Sequence, residues 1–143
     1  MTAAHGTHDY ADDPRNAEIL IYVNGEMKPR AEAVVSVFDS GFVLGDGVWE
    51  GLRVLGGQPL FLDAHLDRLY EGAKAIALDI GMTRTGMTRA LMDTLAANKM
   101  TDHVHVRLMV TRGVKRTPYQ DPRAVVGQAT VVMIPEFKTP RPE

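Results

Sequence analysis

A change of period in the apolar residues most constrains how this chain can fold. Val104, Val106, Leu108 and Val110 alternate strictly with other residues, the pattern of a strand with one buried face. Leu62, Leu66, Leu69, Tyr70, Ala73, Ile76 and Ala77 recur instead at helical spacing, and Met87, Leu91 and Leu95 form an i, i+4 stripe. A one-sided strand and a one-sided helix each need a second layer to bury against. The expected fold is therefore α+β, a two-layer domain with a largely antiparallel sheet and two helices packed on one face.

Breaker residues place the remaining elements. Glu18–Val23 reads as a strand, Asn24-Gly25 as a tight hairpin turn, and the segment through Lys28-Pro29-Arg30 as its return. Ala33–Phe38 reads as another strand, followed by turn chemistry at Asp39-Ser40-Gly41. Val48–Leu55 is a strand, 56–59 a second hairpin loop and 60–62 its return. Asp63 is the expected cap of the first helix; Thr83 or Thr85 caps the second, over about 86–98. Gly113–Arg123 is a loop and Gly127–Ile134 the last strand. The domain division is a flexible arm over 1–17, a folded domain over 18–134, and the start of an interdomain linker over 135–143.

At 143 residues the chain can bury one core of useful size. A formal charge of −2 gives no general attraction to nucleic acid or anionic membrane. No cysteine is present, which removes disulfides and thiolate chemistry. No apolar run is long enough for a spanning helix, and the first fifteen residues lack a signal sequence, so a cytoplasmic location is expected. His103 and His105 would project to one side of a strand, but no third ligand is apparent, and no metal is expected. Gly45, Gly47 and Gly51 have the wrong spacing for a dinucleotide loop and lead into a strand.

Parity assigns faces. Trp49, Gly51, Arg53 and Leu55 share one side of their strand; Val48, Glu50, Leu52 and Val54 share the other. An aromatic, a glycine and a cation in alternation suggest a floor with room above it, or else a bulge or packing contact. His103, His105, Arg107 and Thr111 face away from the apolar side of theirs, as a solvated face also would. Alone, Arg68 reads as an ion-pair partner of Glu71.

Leu44-Gly45-Asp46-Gly47-Val48-Trp49-Glu50-Gly51-Leu52-Arg53, followed by His65-Leu66-Asp67-Arg68-Leu69, changes that reading. The pattern resembles the N-terminal domain of the fold-type IV, pyridoxal-phosphate-dependent aminotransferases, which include branched-chain and D-amino acid aminotransferases. The resemblance runs from about Ile19 to Ile134. It implies a homodimeric transaminase acting on an amino acid or amine and an oxo acid, with pyridoxal 5'-phosphate in a cleft between two domains. Arg68 would anchor the cofactor phosphate, which places it beside the Trp49-bearing surface, and a guanidinium suits that role. Trp49, Arg53, Arg107 and Arg116 would shape the substrate side. No catalytic residue is expected in this chain. The Schiff-base lysine belongs to a second domain beyond Glu143, so the 143-residue polypeptide alone is expected to be inactive.

Departures are visible. Leu44 stands where branched-chain enzymes carry tyrosine, and Thr117 and Tyr119 fill places that D-amino acid enzymes give to Arg and His, with Arg116 adjacent. Two alternatives stay open: an aminodeoxychorismate lyase using the same cofactor, and a short non-catalytic oligomerisation or binding module.

Overall fold

Asn24 and Gly25 both take positive φ, 49° and 91°, and close the tight turn between β1 (Leu20–Val23) and β2 (Glu26–Pro29). The computed structural model describes residues 12–139, so most of the expected N-terminal arm and the last four residues lie outside the described residues. After β2 come a short helix α1 (Ser40–Leu44), β3 (Gly47–Leu55), β4 (Gln58–Pro59), α2 (Leu62–Ala75), α3 (Arg84–Ala97), β5 (Val104–Thr111) and β6 (Thr130–Phe137). The six strands form one sheet in the order β2-β1-β6-β5-β3-β4, and every pairing is antiparallel.

The centre of the sheet is a long ladder. β3 pairs with β5 from Gly47↔Thr111 to Val54↔Val104, and β5 with β6 from Val104↔Phe137 to Thr111↔Thr130. Alternation along β5 is as the sequence predicts: Val104, Val106, Leu108 and Val110 are buried. They meet Leu52 and Val54 of β3 and Met133 of β6 in a core closed by the helices. α2 lies over β3 through Leu66, Leu69 and Ala73; α3 lies over β1 and β6 through Met87, Leu91 and Leu95. The result is the expected α+β, two-layer arrangement.

Boundaries depart from expectation in four places. Ala33–Phe38 forms no strand; Val34, Val35, Val37 and Phe38 are exposed, and beyond them only an isolated bridge joins Asp39 to Val114. Its residues favour extended backbone, but a strand needs a partner ladder and none among the described residues reaches it. β4 begins at Gln58, inside the expected loop, because Gly56 and Gly57 alone make the turn at φ 58° and 74°. Asp63 does not cap α2. Phe61 precedes the helix in the left-handed region at φ 53°, and Asp63 sits in the first turn. Thr83 does cap α3, accepting a hydrogen bond from the Gly86 N–H at 3.0 Å.

The fourth departure is at β6, which starts at Thr130 and runs through Pro135 to Phe137, into the segment read as linker. Proline ordinarily ends a strand because it cannot donate to the ladder. Here Phe137 turns its N–H to Asn16 Oδ1 and accepts from Asn16 Nδ2, on the side away from β5. Pro135 has the same parity, so its missing N–H falls on that side too. β1 pairs with β6 only at Val132 and Met133, so no ladder bond is lost there.

Candidate active site

Glu50 stands on the apolar side of β3 with Leu52 and Val54, and is 4% exposed. A carboxylate there must be paired. α2 supplies the partners from one helical face, since positions 65 and 68 are three apart. Arg68 donates from Nε to Glu50 Oε1 at 2.6 Å and from Nη2 to Oε2 at 2.7 Å. His65 Nδ1 lies 2.7 Å from Oε2. The Arg68 guanidinium holds the Glu50 carboxyl below its ordinary value, opposed by desolvation and helped by His65. Glu50 in turn raises Arg68.

The fork binding Glu50 uses two of the five N–H donors of a guanidinium. The side chain of Arg68 is 72% exposed, and no other partner for it is recorded among the described residues. A fixed cation with an outward-facing donor edge is therefore on offer, of the kind that grips a phosphate or carboxylate.

On the opposite face of β3, Trp49 is 59% exposed, and Arg107 of β5 stacks over it with Cζ 4.3 Å from the ring centroid. Arg53 and His105 are register partners, as are Gly51 and Arg107. The expected room above Gly51 is not empty. A Cβ built on Gly51 would lie 2.9 Å from His105 Nε2, so the imidazole fills that space. Burial pushes the His105 imidazole below its ordinary value; Lys138, Arg107 and Arg53 push the same way and Glu136 opposes them.

Arg68 does not stand beside the Trp49-bearing face. That expectation is corrected: Arg68 is bound to Glu50 on the helix side of β3, and neighbouring strand residues point to opposite faces. The edge of β3 separates the two groups. β4 pairs only with Val54 and Leu55, and the Arg53 carbonyl accepts from the Leu60 N–H, so among the described residues no strand pairs with 47–52 on the side away from β5. By parity with Arg53, the main-chain groups of Trp49 and Gly51 point to that open edge.

Arg116 lies in the loop beyond the Thr111 end of β5, exposed, with its main-chain N–H bonded to the Ala124 carbonyl. Among the described residues it makes no hydrogen bond, ion pair or ring contact with Trp49, Arg53 or Arg107. Arg112 is committed elsewhere: it forks onto Asp46 and caps the end of α2 through the Ile76 and Ala77 carbonyls. Surface hollows border the C-terminal end of α2 at Ala77, Asp79 and Gly81, and neither includes Arg68, Trp49 or Arg107. The candidate site is an open surface. Among the described residues no cluster of three or more His, Asp or Glu suits a metal, and no helix is long and apolar enough to cross a membrane.

Glu50 and His65 join Arg68 in one cluster, and the sequence reading singled out neither of them. The signal was present, because an acid sharing parity with Leu52 and Val54 needs a cation to pair with, and Arg68 lies on the helix that covers that face.

Comparison with known proteins gives the family. The model of the family described as amino-transferase class IV matches residues 47–141. A branched-chain-amino-acid aminotransferase-like protein 1 of Arabidopsis thaliana is 43% identical over 127 residues, 89% of this chain and 23% of the relative. A putative branched-chain-amino-acid aminotransferase of Methanocaldococcus jannaschii is 45% identical over 94 residues, 66% of this chain and 32% of the relative. Other relatives include a D-alanine aminotransferase of Listeria innocua and an aminodeoxychorismate lyase of Bacillus subtilis, 39% and 34% identical. Among solved structures, the branched-chain aminotransferase of Thermoproteus uzoniensis with norvaline superposes with a TM-score of 0.74 at 26% identity, covering 83% of this chain and 40% of that one. The chain thus spans about a quarter to two fifths of the length of these relatives. On the span and the identities together, the chain belongs to the class IV aminotransferase family.

Proposed function

We propose that this chain is the N-terminal half of a pyridoxal-phosphate-dependent aminotransferase that moves an amino group between an amino acid or amine and a 2-oxo acid. The observation that carries the reading is the pairing of Arg68 with buried Glu50, which orients the guanidinium and leaves its side chain largely exposed. The residues fit the phosphate end of that cofactor: a permanent cation, held in place, with donors to spare. Pyridoxal phosphate, when bound, serves as the electron sink for proton removal at the substrate carbon. The chain's own share is to anchor and orient. Arg68 holds the phosphate, Glu50 and His65 fix the direction of Arg68, and Arg53 and Arg107 draw a substrate carboxylate to the face where Trp49 covers its side chain. Arg116 is assigned to the rim of the same substrate side, on its position in the loop after β5 alone.

A ligand spanning the open edge of β3 touches both faces, which is how Arg68 and Trp49 serve one site. In the cytoplasmic homodimer that the reading implies, a second copy covers the apolar surface of Val34, Val35, Val37, Phe38 and Phe42. An aminodeoxychorismate lyase remains the second reading, favoured by the relative of that name. Consumption of an amino acceptor by the whole protein separates the two.

The test is titration of the chain with pyridoxine 5'-phosphate, which lacks the aldehyde and so cannot condense with surface lysines. Arg68→Ala is expected to weaken binding about tenfold or more, the worth of a lost charge-assisted fork. An affinity within twofold of the parent removes Arg68 from the cofactor site.

A further inference from the structure

The space above Gly51 points to a determinant of substrate size. Gly51 is the one position of β3 between Trp49 and Arg53 on the outer face, and His105 occupies what its side chain would need. A Cβ there would meet His105 Nε2 at 2.9 Å and Cε1 at 3.4 Å, with Trp49 Cζ3 next at 3.9 Å. The imidazole is thus seated in a recess whose other wall is the indole.

Register places the recess between two cations. Arg53 is paired with His105 and Gly51 with Arg107, so the two arginines lie on a diagonal and Gly51 and His105 on the crossing one. A carboxylate held by either guanidinium sends its tail over the recess. We propose that His105 limits the length of aliphatic carboxylate this face accepts, with Gly51 as the notch that lets the imidazole sit there. The inference rests on the reading of this face as the substrate side.

His105 is half-buried, and burial holds the ring below its ordinary value. Arg53 from β3, Arg107 from β5 and Lys138 after β6 act in the same direction, and Glu136 from β6 opposes them. At neutral pH the ring is an uncharged steric stop rather than a third anion anchor. This also explains why β3 carries glycine at a position where strand propensity argues against it.

The experiment uses the full chain at pH 7.5. Trp49 is the only tryptophan, so emission reports on this face alone. The probes are butyrate, hexanoate and octanoate. In the parent, affinity is expected to stop rising with length once the tail meets the ring. In His105→Ala and His105→Ser the recess opens, and each further buried methylene should add about fourfold. The octanoate-to-butyrate ratio then rises about tenfold or more over the parent. Gly51→Ala in the His105→Ala background puts a methyl group back into the recess and should bring the ratio down again. His105→Gln, which keeps most of the volume, should keep the parent ratio.

A merely structural role for His105 would change melting temperature without changing that ratio. A ratio within twofold of the parent in both small variants, each shown to be folded by circular dichroism, overturns the inference while leaving the substrate face intact. If no carboxylate perturbs Trp49 in the parent, or if Arg107→Gln leaves all three affinities unchanged, the substrate-face reading itself fails and takes this inference with it.

Discussion

Replacing Glu50 by glutamine keeps the shape of the side chain and removes its charge. In the parent, one buried carboxylate accepts two bonds from Arg68 and contacts His65. The amide can accept from Arg68 at one oxygen, but in either orientation its NH2 group faces a guanidinium N–H, and in one of them the imidazole as well. At least one of the three contacts is lost, and the other two weaken from charge-assisted to neutral. A buried pair broken at one end costs about 3–5 kcal/mol when both groups are buried. Arg68 is 72% exposed and returns to water at little expense, so the expected loss is smaller, about 1–2 kcal/mol. For a domain of this size that is a fall in Tm of roughly 3–8 °C.

The pH dependence gives the sharper check. The Arg68 bonds lower the Glu50 carboxyl from an ordinary value near 4.5. A depressed carboxyl stabilises the fold in full above its unfolded value and loses that contribution as pH falls through the folded one. The stability gap between parent and Glu50→Gln, measured by urea denaturation, should therefore be constant from pH 7 to about pH 5.5 and narrow below the ordinary value. A gap under about 0.3 kcal/mol at pH 7, or one that widens on acidification, would refute the claim that Glu50 is an ionised anchor for Arg68.

Two further perturbations test how the site is held. Arg112→Met removes the fork to Asp46 and uncaps the Ile76 and Ala77 carbonyls, with the arginine only 16% exposed. A loss of about 2–4 kcal/mol is expected by urea denaturation, and a loss below about 1 kcal/mol would mean that water replaces it. Asn98→Ala unties β1 from the end of α3, where Oδ1 accepts from the Leu20 N–H at 2.7 Å and Nδ2 donates to the Leu20 and Thr94 carbonyls at 2.9 Å. About 2–3 kcal/mol should be lost, and hydrogen exchange should accelerate at Leu20 before it does in β5; uniform acceleration would contradict the local tie.

Much of the architecture follows from period alone. Strict alternation at 104–110 and stripes on both helices are dictated by burial on one side, and burial is what the fold conserves from sequence to structure. Elements that depend on a partner were less legible. Ala33–Phe38 has strand-forming residues and no ladder to join, while Thr130–Phe137 passes through a proline because the ladder there runs on the other side. Single-residue propensity cannot see either fact. Of the candidate site, Arg68, Trp49 and Arg107 were proposed from motif, and their division between two faces follows from a parity that also buried Glu50.

One local event accounts for both the open edge of β3 and the placement of Arg68. β4 is cut to Gln58 and Pro59, and Phe61 turns the chain at φ 53°, a conformation costly for a bulky residue, into α2. Had β4 continued, it would have paired with β3 past Arg53 and covered the main-chain groups of Trp49 and Gly51. Because the chain leaves the sheet there, the edge of β3 stays open and α2 runs back above it. That path carries His65 and Arg68 over Glu50. The open edge and the helix-borne cation therefore arise together, from the same turn of the chain at Phe61.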